Sequence, residues 1–220
     1  MSALQQLRTM TTIVADTGDL AAIARLKPID ATTNPSLITK ALIHPDNEAL
    51  MSETMSRHRG DVDAVIDELT VQIGCNILAL IEGRVSTEVD ARLSYDTQAT
   101  IDKALSFMEA YQKAGIDSER VLIKMAATWQ GIEAARYLET QGIHCNLTLL
   151  FGQHQAIACA DAGVTLISPF VGRILDWQKR QRNRQNVPAS DDMGVQSVKL
   201  IYQYYKQHGY KTQVMGASFR

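Results

Sequence analysis

Charge of either sign is not in excess in this sequence: 22 basic residues stand against 24 acidic ones, a formal net charge of −2. Such a balance supplies no general attraction for DNA, RNA or an anionic membrane surface. Long hydrophobic runs are missing too; nothing approaches the roughly 18 to 20 apolar residues that cross a bilayer, and the polar start MSALQQLRTMTT lacks the basic-then-apolar layout of a signal peptide. A soluble, cytoplasmic protein with no membrane or nucleic-acid partner is expected. Cysteine is scarce: Cys75, Cys145 and Cys159 are odd in number and form no C-x-x-C pair, which argues against a disulfide framework or a cysteine zinc site and leaves reduced core thiols. His44, His58, His144, His154 and His208 never take an H-E-x-x-H or comparable spacing, and adjacent His144 and Cys145 on a strand face opposite ways, so no metal is expected. Neither G-x-G-x-x-G nor a Walker A sequence occurs, which removes the usual phosphate cradles of open nucleotide-binding sheets.

What is present is length and alternation. The 220 residues, 45% of them hydrophobic, suffice for one sizeable core that buries roughly 70% of the unfolded surface. Short β-branched runs alternate with segments of helical period, the pattern of repeated βα units on a parallel sheet. Seven strands are predicted, near Thr11 to Asp16, Asp30 to Asn34, Val85 to Asp90, Val121 to Ala126, Cys145 to Phe151, Val164 to Phe170 and Thr212 to Phe219. Helices are predicted at Thr97 to Lys113, with Ile101, Ala104, Leu105 and Met108 on the apolar face, and at Gln130 to Glu139, with Ile132, Ala135 and Leu138. Gly115, Gly142, Gly163 and Gly209 fall where helices end, and Pro35 suits a first helical turn. The basic run Lys179, Arg180, Arg182, Arg184 reads as a solvated helix end and loop. A closed (β/α)₈ barrel, one domain over residues 1–220, fits better than an open doubly wound sheet.

Barrel chemistry is assembled from the C-terminal ends of several strands, so polar residues inside apolar strands carry the most information. Lys124 lies in VLIKMA; loss of hydration there favours a neutral, nucleophilic amine able to form a Schiff base with a carbonyl. An interior salt bridge or a solvent-facing lysine would explain the same pattern. Asp16 ends TTIVAD, and Glu88 in VSTEVD shares a face with Ser86 and Asp90. A Schiff-base reaction needs such proton carriers, although Asp16 also suits a helix N-cap for Asp19 to Leu26 and Glu88 a surface or paired charge. By the same parity Thr32 and Asn34 point together, as do Asn146 and Thr148, Ser168 and Phe170, and Gly216, Ser218 and Arg220. Such hydroxyls and amides suit a polyhydroxylated ligand, or are satisfied core groups. Arg173 and Arg220 stand beyond two late strands, where paired guanidinium groups with Ser218 can clamp a phosphate, or are surface arginines.

The blocks IVADTGD, DATTNPSLI, STEVDARLSYD, LIKMAATWQGI, CNLTLLF, ISPFVGRILDW and VMGASFR resemble, in order and over nearly the whole chain, the successive signatures of the transaldolase family. The resemblance implies a (β/α)₈ TIM barrel of the class I aldolase type, without metal or organic cofactor, that moves a dihydroxyacetone unit from sedoheptulose 7-phosphate to glyceraldehyde 3-phosphate, giving erythrose 4-phosphate and fructose 6-phosphate. It implies Lys124 as the Schiff-base lysine, Asp16 as acid/base at the broken bond, and Glu88 with Thr148 as the groups managing water. It implies Asn34, Asn146 and Ser168 around the dihydroxyacetone part, Phe170 beside it, and Arg173, Ser218 and Arg220 on phosphate. Dimers are common among similar enzymes. The sequence stops after the seventh predicted strand, so a barrel lacking its eighth strand and C-terminal helices is expected. The alternatives are an aldolase releasing dihydroxyacetone and a non-catalytic sugar-phosphate-binding remnant.

Overall fold

The computed structural model describes residues 2–219, and the strands are hydrogen-bonded in chain order, β1 to β7. The chain divides into two compact units at the middle of the fourth strand: one holds residues 1–88 and 103–123, the other residues 89–102 and 124–220.

In the first unit α1 (Ala3–Met10) precedes β1 (Val14–Asp16), α2 (Leu20–Leu26), β2 (Asp30–Thr32), α3 (Pro35–Leu42), α4 (Glu48–His58), α5 (Val62–Leu78) and β3 (Val85–Glu88). The strands pair in parallel, with Asp16 beside Thr32 and Thr32 beside Ser86. They are shorter than predicted because side chains intercept the backbone early. Asn34 is not a strand residue; its Oδ1 accepts from the Leu37 amide and caps α3, with Pro35 in the first turn. Asp90 likewise leaves β3 to cap a 3₁₀ turn at Ala91–Leu93. Asp19, not Asp16, caps α2, which leaves the Asp16 carboxylate out of that role.

Arginine ties this unit together below the strands. Arg120 donates from Nε to the Gly83 carbonyl (3.0 Å) and from Nη2 to those of Leu78 (3.2 Å) and Ile81 (2.6 Å), collecting the last carbonyls of α5 and the turn into β3. Replacing Arg120 with Ala strands these acceptors and is expected to cost about 2 kcal/mol, read as a lower urea midpoint at unchanged slope.

β4 (Val121–Ala126) is buried at all six positions, as a parallel strand covered on both faces should be. α6 (Thr97–Lys113) has the predicted bounds, but Leu105 is 41% exposed, so the predicted face is wrong at that position. The buried residues are Ile101, Ala104, Phe107, Met108 and Tyr111, a stripe that follows 3.6-residue periodicity one position away from Leu105.

The second unit continues through α7 (Trp129–Thr140), β5 (Cys145–Leu150), α8 (Gln153–Asp161), β6 (Leu166–Pro169), α9 (Val171–Arg182), α10 (Met193–His208) and β7 (Gln213–Val214). Ile132, Ala135 and Leu138 of α7 are buried as expected. Gly115, Gly142, Gly163 and Gly209 all take φ between +73° and +77° at or just after helix ends, a conformation that costs glycine nothing. Lys179, Arg180 and Arg182 form the last turn of α9, which Asn183 ends in the left-handed region; the loop beyond is pinned by fully buried Gln178, which donates to the Asp191 carbonyl and accepts from the Met193 amide. Cys145 and Cys159 are buried free thiols, the latter pushed up to about 12 by burial. No helix among the described residues is long and apolar enough to cross a membrane.

Candidate active site

Each unit presents polar groups at the C-terminal ends of its strands. In the first, Asp16, Thr32 and Ser86 occupy one row of the parallel ladder, and parity puts Asn34 and Glu88 one step further along the same face. The Asp16 side chain is exposed, Asn34 and Glu88 are half-buried, and Thr32 and Ser86 are buried. Because Asn34 spends its carbonyl oxygen on the α3 cap, its amide N–H groups are left to face a ligand. The Thr32 hydroxyl is buried without a hydrogen-bond partner.

In the second unit Lys124 is only 6% exposed in the midst of β4. Its own carbonyl accepts from the Val89 amide (2.9 Å), and two residues further the Ala127 amide donates to the Thr148 carbonyl (2.8 Å), so β4 is held on both sides where the lysine emerges. α7 is seated against the same strand end: a Cβ on Gly131 would lie 2.1 Å from the Ala126 carbonyl oxygen, an approach only glycine permits. On β5 and β6, Asn146 and Ser168 are buried and joined, the Ser168 Oγ donating to Asn146 Oδ1 at 2.6 Å. Thr148, also buried, has the other unpartnered hydroxyl among the described residues.

Beyond Thr148 the strand is deformed. Leu149 has φ +58° and is 39% exposed, and the pairing with β6 shifts between Leu147 and Leu150. This bulge lets Leu150 return to the core after Thr148 has been set on the polar face. Gln155 holds the distorted segment: its Nε2 donates to the carbonyls of Ala127 and Leu149, and its Oε1 accepts from the amides of Phe151 and Gly152. Sequence reasoning missed Gln155, although a glutamine three residues after the Gly152 cap position is a capping signal.

Phe170 caps α9 without a side-chain bond, meets Phe151 edge to face at 5.7 Å and has the Arg173 guanidinium 5.2 Å above its ring. Arg173 opens into a groove of about 530 Å³ that it lines with Phe151, Ile174, Trp177, Arg180 and Met193. Two guanidinium groups and no carboxylate line it, a favourable surface for an anion. The predicted alternation of Gly216, Ser218 and Arg220 does not extend from β7. That strand ends at Val214, Ala217 makes one bridge to Phe170, and Ser218 turns into the left-handed region at φ +58°. The strand is interrupted, so parity no longer decides where Ser218 points. Arg220 lies outside the described residues.

Buried amine, orphaned hydroxyl, paired amide and hydroxyl, and arginine-lined groove form a set suited to carbonyl chemistry on a hydroxylated, anionic small molecule. The comparisons agree with that set. The family model described as transaldolase/fructose-6-phosphate aldolase matches residues 13–220. A transaldolase of Nostoc punctiforme is 59% identical over 227 aligned positions that take in 99% of this chain and 68% of that protein. One of Acidobacterium capsulatum is 60% identical, covering 100% and 68%, and one of Thermosynechococcus vestitus 57%, covering 100% and 59%. With the parallel strand order, the family model and relatives so similar along the whole sequence in agreement, the chain belongs to the transaldolase/fructose-6-phosphate aldolase family.

Proposed function

We propose that this protein is a transaldolase, moving a dihydroxyacetone unit between phosphorylated sugars through a Schiff base on Lys124. The observation that carries the reading is a lysine 6% exposed within a strand that is otherwise apolar and buried throughout. A charged ammonium is poorly accommodated there, while a neutral amine is a nucleophile. The Nζ attacks the ketose carbonyl, water leaves, and the protonated imine withdraws electrons. A base removes the proton of the hydroxyl one carbon beyond the bond to be broken. The carbon–carbon bond then breaks, its electron pair passes toward the iminium nitrogen, and the first aldehyde departs. The enamine left on Lys124 attacks the second aldehyde, and water releases the product.

Asp16, exposed at the end of β1, is the group we assign to the hydroxyl proton. Glu88 and the unpartnered hydroxyl of Thr148 are assigned to the water that enters and leaves. Asn34, with its free amide N–H groups, and the Asn146–Ser168 pair suit the dihydroxyacetone hydroxyls. Phe170 presents a ring beside them, and Arg173 in its anion-favouring groove, together with Ser218 and Arg220, suits the phosphate. Under this reading donor and acceptor are sedoheptulose 7-phosphate and glyceraldehyde 3-phosphate, and the protein works in the cytoplasm as a homodimer.

The test is incubation with fructose 6-phosphate followed by borohydride, which reduces the imine to a stable amine. The expected result is one dihydroxyacetone adduct, found by peptide mass spectrometry on the segment containing Lys124. A folded protein that acquires no adduct would sink the reading.

A further inference from the structure

Two complementary groups sit side by side in the first unit with neither engaged. Asp16 and Thr32 are direct partners in the β1–β2 register, so their side chains leave the same face of neighbouring strands whose backbones lie about 4.8 Å apart. The Thr32 hydroxyl is buried and unpartnered. The Asp16 side chain, exposed, makes no hydrogen bond or ion pair with any described residue. Thr32 also differs from its neighbours in this respect: the Thr33 hydroxyl donates to the Ser86 carbonyl at 2.9 Å, and the Thr87 hydroxyl bonds that of Tyr111 at 2.6 Å. A buried hydroxyl left without a partner costs stability, and such exceptions call for a reason.

We propose that Thr32 is a positioning residue for Asp16, a hydrogen-bond donor held in reserve for its carboxylate. In the structure as it stands the carboxylate is turned out to solvent. A side-chain rotation of Asp16 toward its register partner brings a carboxylate oxygen to the Thr32 hydroxyl, which satisfies both groups and sets the carboxylate at the level of the Thr32–Ser86 row. Thr32 touches no reacting atom in this scheme; it fixes where Asp16 stands when the hydroxyl proton is taken. The covered site favours one hydrogen bond from the strand next door because solvent does not compete for that hydroxyl.

The assignment rests on the transaldolase reading, and the experiment separates the two. Thr32→Val removes the hydroxyl at nearly constant shape, and Thr32→Ser restores it. With fructose 6-phosphate, borohydride trapping on Lys124 reports imine formation, and release of glyceraldehyde 3-phosphate reports carbon–carbon cleavage. The expected result is that Thr32→Val cleaves about tenfold more slowly or worse with KM changed less than twofold, that Thr32→Ser recovers most of the rate, and that the thermal midpoint of Thr32→Val without sugar is unchanged or higher. Cleavage by Thr32→Val at the unsubstituted rate overturns the assignment. So does a lower midpoint, which would mean that the hydroxyl is already bonded in the resting protein. If the unsubstituted chain traps no adduct, the functional reading fails and the assignment with it.

Discussion

Replacing Lys124 with Met is expected to abolish the borohydride-trapped adduct and to lower transfer activity by roughly a thousandfold or more, the scale of losing the group that forms the covalent intermediate. Methionine keeps most of the stem that fills the β4 face while removing the amine. The backbone around position 124 is anchored independently of the side chain, by Val89 on one side and by the Ala127–Thr148 bond on the other. Circular dichroism and a cooperative melt should therefore survive the change. Persistence of the adduct, on this or any other peptide, would show that another amine carries the reaction. Unfolding of the variant would show that Lys124 is held for structure instead, as a buried ion pair whose loss leaves a charge uncompensated.

The second large effect is expected far from the strand ends that carry the chemistry. Glu139, in the last turn of α7, uses one carboxylate to start two strands: Oε1 accepts from the amides of Cys145 (2.9 Å) and Thr165 (2.6 Å), and Oε2 from the Thr165 hydroxyl (2.9 Å). The carboxylate side chain is 11% exposed. Glu139→Ala leaves two backbone donors at the entrance of β5 and β6 without an acceptor, and Cys145 is fully buried, so water replaces the lost bond poorly. The expected cost is about 3 kcal/mol, or roughly 10 °C in Tm for a chain of this size. Glu139→Gln keeps the Oε1 acceptor and should lose about half as much. A midpoint unchanged in the Ala variant would mean that the strands register without this clamp. Trapping at Lys124, measured well below the melting range, should persist in both variants, since the clamp lies at the opposite ends of the strands.

These two residues differ in how they could be found. Lys124 was legible because a charged residue within VLIKMA conflicts with its surroundings, and such conflict marks function. Glu139 gave no sign: a glutamate near a helix end looks solvated until the fold brings the starts of two strands to its carboxylate. Gln155 and Arg120 were hidden for the same reason, since their partners are backbone atoms 4 to 42 residues away. Leu149 was hidden differently, because a leucine with positive φ has no propensity signature. The face of α6 was misjudged at Leu105 because several apolar residues compete for a stripe whose exact centre the packing chooses.

What the sequence determined by itself was the alternation of strands and helices, the bounds of β4 and α6, the glycine-ended helices and the amino acids offered for chemistry. Each of those is a local property, set by side-chain periodicity and backbone freedom over a few residues. Only the tertiary structure decided that Asn34 and Asp90 leave their strands to cap turns, that the bulge at Leu149 follows Thr148, that β7 ends before Ser218, and that Asp16 stands in register beside an unpartnered Thr32. Those outcomes depend on hydrogen-bond partners supplied by distant segments, and a backbone group chooses among its available partners only after the chain has brought them together.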